Sequence, residues 1–298
     1  GVSMGIAEAA KDKNAVQAEH ELGDQGRFGV GLPKISDGQL LFQLNGISKL
    51  KDNGRMAIIH NGSALFSGAA GSGESEIRRF VIENDWLDAI IQLPNDVFYN
   101  TGISTYVWII DKDKKRHRQG RVQLIDASHM YENRRKNIGS KRVDITEECR
   151  NVIVQAYGDF LNKEYNFGDS TAESKIFDNL DFGFNKVTIE SPLKDEAGNI
   201  VLKNKKIQPD TSLRDTEDIP LTEAIEAYFE REIKPFNPEA WIDKSKTKVG
   251  YEIPFTRLFY KYIIPERTES IALKIKALEE SIVRSFEKLS GQDVKVDE

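Results

Sequence analysis

The chain has 298 residues, 39% of them hydrophobic and 30% charged, a soluble globular balance that supports a real core. Its one cysteine, Cys149, excludes a disulfide framework and a multi-cysteine metal cage, and suits a reducing, cytoplasmic setting. The net charge of −6 hides an asymmetry: Lys112 to Arg142 holds eleven Lys or Arg against three acids, a local +8 on a remainder of −14.

The N-terminal Gly1-Val-Ser-Met-Gly5 shows no basic region followed by an apolar one, so no secretory leader is expected. Residues 1 to 35 read as irregular, with glycines at 23, 26, 29 and 31 and Pro33 closing the run. Ser36 or Asp37 is suited to cap a helix whose Leu40, Leu41, Leu44, Ile47 and Leu50 recur at three and four, burying one face. Asn53-Gly54 ends it. Arg55 to His60 then reads as a buried strand, and a glycine-rich loop runs from Asn61 to Gly73. A helix over Glu74–Asn84, a strand over Trp86–Leu93, a loop, and a strand over Ile103–Ile110 follow. Pro94 to Gly102 is too short for a crossover helix, so the last two strands are expected to pair antiparallel. A further strand covers Arg121–Ile125. This alternation implies a mainly parallel α/β sheet ending in antiparallel strands.

Beyond Ile125 the alternation stops. Helices are expected over Ile145–Leu161, Leu221–Lys234 and Pro265–Leu289, and a hairpin over residues 187–203 around the turn formers Glu196-Ala-Gly-Asn199. The apolar runs, such as Tyr106–Ile110, stay far short of the ~20 residues a membrane helix needs. Three regions result: an α/β part over 1–128, a mixed, helix-rich part over 129–264, and a terminal helix and tail over 265–298.

Few residues point to chemistry. The Gly68–Gly73 loop opens a helix, yet lacks a Gly-Lys-Ser/Thr ending and carries Glu74 and Glu76 in the first turn, which would repel phosphate. His20, His60, His117 and His129 have no metal-ligand spacing, and no nucleophile elbow is present. Asn61-Gly62-Ser63 is a glycosylation sequon of no use in a cytoplasm. Phe98 and Tyr99, in a loop at the sheet edge, suit stacking on a base, or one of them simply plugs the core. Lys114, Lys115, Arg116, Arg118, Arg134, Arg135 and Lys136 suit a phosphate backbone, or a solvated face. The seam Ile271, Ile275, Leu278, Ile282, Phe286 and Leu289 suits packing on its own domain or a coiled-coil contact with a partner.

Several strings, in this order, resemble the modification (M) subunits of type I restriction-modification systems. They include Gly26-Arg-Phe-Gly-Val-Gly-Leu-Pro33, Ser36-Asp-Gly-Gln-Leu-Leu-Phe42, Gly71-Ser-Gly-Glu-Ser-Glu-Ile-Arg-Arg79 and Phe98-Tyr-Asn-Thr-Gly102. Ala227-Tyr-Phe-Glu-Arg-Glu232 and Val249-Gly-Tyr-Glu-Ile-Pro-Phe-Thr-Arg257 carry it into the second half. The resemblance implies the C-terminal half of a Rossmann-like sheet. It implies methyl transfer from S-adenosylmethionine to adenine N6 in DNA. Partners would be a specificity (S) subunit, a restriction subunit and a second M subunit. The family's Asn/Asp-Pro-Pro-Phe/Tyr motif is absent, since no two of the nine prolines are adjacent. The chain is therefore expected to begin just after that motif, to carry no catalytic, cofactor-binding or metal residue, and to be inactive alone. By the same resemblance Phe98 would stack on a flipped adenine, with Tyr99 as second choice, and the terminal helix would dock on the S subunit. A non-catalytic assembly and DNA-clamping module is the competing reading.

Overall fold

The computed structural model describes residues 6–262 and 265–290. Two compact units divide the chain, Gly1–Phe255 and Thr256–Glu298.

The first unit opens with a helix, α1 (Ile6–Glu21), where the sequence reads as irregular. Ala, Glu, Lys and Gln favour it intrinsically, but it has no apolar stripe, so periodicity does not reveal it. The next helix, α2 (Gln39–Lys49), takes Gly38 as its N-cap with no side-chain cap, in place of the expected Ser36 or Asp37. Then come β1 (Arg55–Asn61), α3 (Ser63–Phe66), α4 (Gly73–Glu83), β2 (Leu87–Gln92), β3 (Thr105–Asp111) and β4 (Arg121–Asp126). They are followed by β5 (Glu132–Ile138), β6 (Lys141–Asp144), α5 (Glu147–Asp159), β7 (Lys163–Phe167) and β8 (Ser170–Asp178).

Six strands form the main sheet in the order β1-β3-β2-β4-β8-β7. β2 and β4 are the one parallel pair, and every other pair is antiparallel, including the expected β2–β3 pair, so the sheet is mainly antiparallel and not mainly parallel as the helix–strand alternation implied. β7 and β8 come from beyond residue 128, where the sequence reading ends the α/β part. They cover the edge of β4, which would otherwise expose a row of unpaired amides.

Strand alternation sends Ile90 and Ile91 to opposite faces. On one face Gln43 of α2 bonds His60 of β1 at 2.8 Å, and His60 meets Trp108 edge-on. On the other, Ile91 and Ile125 pack with Cys149, Ile153 and Ala156 of α5. The sheet is thus sandwiched between helices, which explains why β2 is buried along nearly its whole length. β1 departs from its reading as a fully buried strand: it alternates, and Ile59 is 47% exposed.

A smaller sheet centres on β9 (Gly183–Glu190). The expected turn at Glu196–Asn199 forms, since the Asp195 amide donates to the Asn199 carbonyl and Lys194 pairs with Ile200. The hairpin pairs only at its tip, where the Val201 amide donates to the Leu193 carbonyl at 2.8 Å, and it does not extend into β9. A minor ribbon, β10 (Leu202–Lys203) with β11 (Lys206–Ile207), forms instead. β9 pairs with β12 (Asp215–Pro220) on one side. On the other it pairs with β13 (Trp241–Ile242) and β14 (Lys248–Tyr251). β12 wins because it offers a six-residue register and buries Ile219 against Val187 and Ile189. Between β12 and β13, α6 (Ile225–Tyr228) runs on as a π turn to Ile233. So ten strands, β5 to β14, stand in a stretch whose composition reads as helix-rich.

Arg78 of α4 ties the two sheets together. It is 0% exposed, and donates to the carbonyls of Tyr251 (2.6 Å), Ala64 (3.2 Å) and Ser67 (2.8 Å). Burial pulls its pKa down to about 10.

α7 (Phe255–Phe259) begins at the division between the units. The second unit consists mainly of α8 (Thr268–Ser290). Its seam of Ile271, Ile275, Leu278, Ile282, Phe286 and Leu289 is 43% to 85% exposed.

Buried His60 makes stability pH-dependent. Burial lowers its pKa from 6.5 to about 4, against a small opposing effect of Asp37. The unfolded chain then binds more protons between those values, so this contribution is full above pH 6.5 and is lost as pH falls towards 4. Urea unfolding at pH 7 and pH 5 should differ by about 2 kcal/mol from this group. His60→Gln should remove that part of the slope, and an unchanged slope would count against the assignment.

Candidate nucleic-acid interface

β1, β2 and β4 run in the same direction, so their carboxyl ends form one rim. Asn61 pairs with Thr105, and Gln92 pairs with both Tyr106 and Asp126. In sheets of this kind ligands bind outside the carboxyl ends of the strands.

The aromatic loop 94–102 leaves β2 at this rim, and the β5–β6 hairpin is stitched to it. The Arg142 amide donates to the Asp96 carbonyl, and the Ser140 amide to the Tyr99 carbonyl, both at 2.9 Å. Gly139, at φ +59°, is the first residue of the two-residue hairpin turn, a place where a type II′ turn needs glycine. A Cβ there would also lie 2.4 Å from the Tyr99 carbonyl oxygen. Tyr99 is 62% exposed, with the Lys141 ammonium 5.3 Å from its ring centroid. Phe98 is half-buried and bridges to Thr101. Arg135 and Lys136 are exposed on the hairpin, whereas Arg134 is half-buried and ion-paired with Asp144. Lys141 and Arg134 together hold the Asp144 carboxyl below the usual range.

The basic stripe therefore divides. Lys115 and Arg116 are exposed in the β3–β4 connection. Lys114 and Arg118 are not available to phosphate. Lys114 is 4% exposed, and donates to Asp85 and to the Arg121 carbonyl, each at 2.7 Å. Burial holds its ammonium below the usual lysine range. Arg118 is 6% exposed. It bonds Asp88 at 2.7 Å, the Tyr157 carbonyl at 3.0 Å and Gln123 at 3.0 Å, and its guanidinium lies 4.1 Å from the Phe160 ring centroid. Charge counting missed this because the partners, Asp85 and Asp88, lie some 30 residues earlier.

A second group at the rim had no signal beyond the apparent sequon. Gln39 Nε2 reaches Asp37 (2.9 Å), Asn61 Oδ1 (2.7 Å) and Ser63 Oγ (2.7 Å), while Gln39 Oε1 accepts from the Asn61 amide at 3.0 Å. The Ser63 hydroxyl sits 2.5 Å from both Asp37 and Asn61 Oδ1.

The glycine-rich loop is no ligand cradle. A Cβ on Gly73 would overlap the Leu32 carbonyl, and Glu74 accepts the Lys34 amide at 2.9 Å, so the chain's own 32–34 segment fills it. A cavity of about 550 Å³ lined by Arg27, Phe80, Trp86 and Lys112 lies at the opposite, amino ends of β1 and β2. Among the described residues no three His, Cys, Asp or Glu side chains converge as a metal site, and no helix is long and apolar enough to cross a membrane.

Residues 12–193 match the family model described as N-6 DNA Methylase. That is more than half of the chain, which therefore belongs to the N-6 DNA methylase family. The chain is 30% identical over 153 residues to the type I restriction enzyme MjaIX methylase subunit of Methanocaldococcus jannaschii, covering 51% of this chain and 26% of that protein. It is 29% identical over 126 residues to the EcoKI methylase subunit of Escherichia coli K12, covering 42% and 23%. A crystal structure of a type I restriction-modification methyltransferase subunit from Streptococcus thermophilus superposes with a TM-score of 0.45 at 26% identity, over 53% of this chain and 31% of that one. The matched stretches thus span about a quarter of these curated relatives.

Arg118→Met should cost about 3 kcal/mol or more in urea unfolding, because it strands a buried Asp88 carboxylate. DNA affinity of the folded fraction should stay unchanged. A stable variant with weakened DNA binding would return Arg118 to the interface.

Proposed function

We propose that this chain is part of a site-specific DNA adenine-N6 methyltransferase, the modification subunit of a type I restriction-modification complex. Its rim is where DNA enters. The carrying observation is the stitching of the aromatic loop to a basic hairpin: Phe98 and Tyr99 offer stacking faces, while Arg135 and Lys136 on that hairpin suit backbone phosphates. Lys115 and Arg116 leave β3 at the opposite end of the sheet, beside the amino end of β1, and so stand apart from this rim. Stacking tolerates any flipped base and backbone cations carry no sequence information, so recognition would fall to a specificity subunit.

The methyl donor of the whole protein would be S-adenosylmethionine. The glycine-rich turn into α4 is filled by segment 32–34, which favours a donor site built elsewhere in the whole protein. The chain alone is thus proposed to bind DNA without transferring methyl. The assembly and DNA-clamping reading draws support from the exposed apolar seam of α8. There the partners would be the specificity subunit, with a restriction subunit and a second modification subunit completing a cytoplasmic complex.

A duplex carrying 2-aminopurine at a mismatched position tests the first reading. Fluorescence should change on binding, and Phe98→Ala should remove most of that change. Arg135→Ala/Lys136→Ala should reduce the slope of log affinity against log salt by about 2, since each phosphate contact contributes about one. Binding indifferent to Phe98 and to both cations would sink the proposal. For the second reading, Ile275→Asp/Ile282→Asp should abolish capture of a purified specificity subunit while leaving 2-aminopurine binding intact. Unchanged capture would remove α8 from the interface.

A further inference from the structure

The Asp37–Gln39–Asn61–Ser63 group is built more carefully than a surface turn requires. The Ser63 backbone amide donates to Asn61 Oδ1 at 3.0 Å, which fixes that atom as the carboxamide oxygen. Gln39 Nε2 also reaches this oxygen, and the Ser63 hydroxyl lies against it. All three contacts hold the oxygen inward. The planar amide then turns Nδ2, with its two N–H groups, to the other side. Asn61 is half-buried at the end of β1, and its own backbone amide is held by Gln39. The carboxamide is thus locked, with its donors presented at the rim.

What lies beside it names the ligand. Asn61 pairs with Thr105, whose carbonyl accepts the Leu93 amide at 2.9 Å. Leu93 is the root of the aromatic loop. Two strand spacings, about 10 Å, therefore separate the locked donors from the start of that loop. A fixed N–H pair on the same rim as an aromatic loop is suited to a heterocycle with a ring acceptor in its plane.

We propose that Asn61 is a base-binding residue whose Nδ2 donates to a ring nitrogen of a purine turned out against the aromatic loop. Asp37, Gln39 and Ser63 are its positioning residues. This rests on the reading of the rim as the DNA site.

Single-stranded oligonucleotides carrying adenine, 1-deazaadenine, 3-deazaadenine or 7-deazaadenine at one position test it on the wild-type chain, with affinities read by anisotropy. One deaza base should bind about five-fold more weakly than adenine, the loss of a single hydrogen bond. Asn61→Asp keeps the inward oxygen and removes both donors, so it should bind all four equally. Equal binding of all four by the wild type overturns the proposal whatever the variant does. If Phe98→Ala weakens binding but no deaza base does, only the role of Asn61 falls. If no oligonucleotide binds, or none depends on Phe98, the DNA reading of the rim falls and takes this role with it.

Discussion

The packing of the main sheet against α5 depends on how the Asp88 carboxylate is buried near the amino end of β2. It is 1% exposed, inside a sheet where an unpaired charge costs several kcal/mol. Arg118 meets one oxygen and the Tyr157 hydroxyl the other, at 2.5 Å. Arg118 in turn holds Gln123, whose amide reaches Ala156 and Ser174. One buried charge thus joins β2, β4, α5 and β8 in a single polar chain. The same burial drives the Tyr157 hydroxyl up to about 12, so it stays a donor throughout the working range. With those four elements locked, the ends of β2 and β4 are held in fixed register, and the loops that leave them inherit it.

The aromatic loop and the hairpin then need few further constraints. Two backbone hydrogen bonds and one glycine turn set their relation. Neither contact uses a side chain, so neither draws on the exposed Arg135 and Lys136. This division separates the buried cations from the exposed ones: Lys114 and Arg118 serve the fold, whereas Lys115, Arg116, Arg135 and Lys136 face solvent.

Much of the sheet was legible in the sequence. β2 and β3 are short apolar runs between turn signals, and a nine-residue connection leaves little choice but an antiparallel pair. α4 and α5 form within a turn of the helices expected over Glu74–Asn84 and Ile145–Leu161. α1 did not, because its stability prior is compositional and it lacks an apolar stripe. The partners of β9 were hidden for another reason: a local turn at Glu196–Asn199 suggested a neighbour in sequence, while the burial of Ile219 chose a strand 25 residues further on. At the candidate site, Phe98 and Tyr99 were visible as aromatics in a loop. The hairpin's place beside them was not, since it is set by carbonyls that no residue type reveals. Gln39 and Asn61 were invisible as a pair because amides are common and only their 22-residue separation in the chain, closed by the fold, makes them a site.

Arg78 has a consequence for how this molecule is made. Its carbonyl partner at Tyr251 lies 173 residues later in the chain. At ribosomal speeds of about 5–20 residues per second, roughly 10 to 35 seconds pass between the synthesis of the two. During that interval α4 carries a guanidinium that cannot yet be buried with all its carbonyls matched. The first unit can acquire local helices and the β2–β3 pair while it is being made, but the lock between its two sheets closes only after Tyr251 has left the exit tunnel. Nascent chains shorter than this are the ones that expose the α4 face to chaperones.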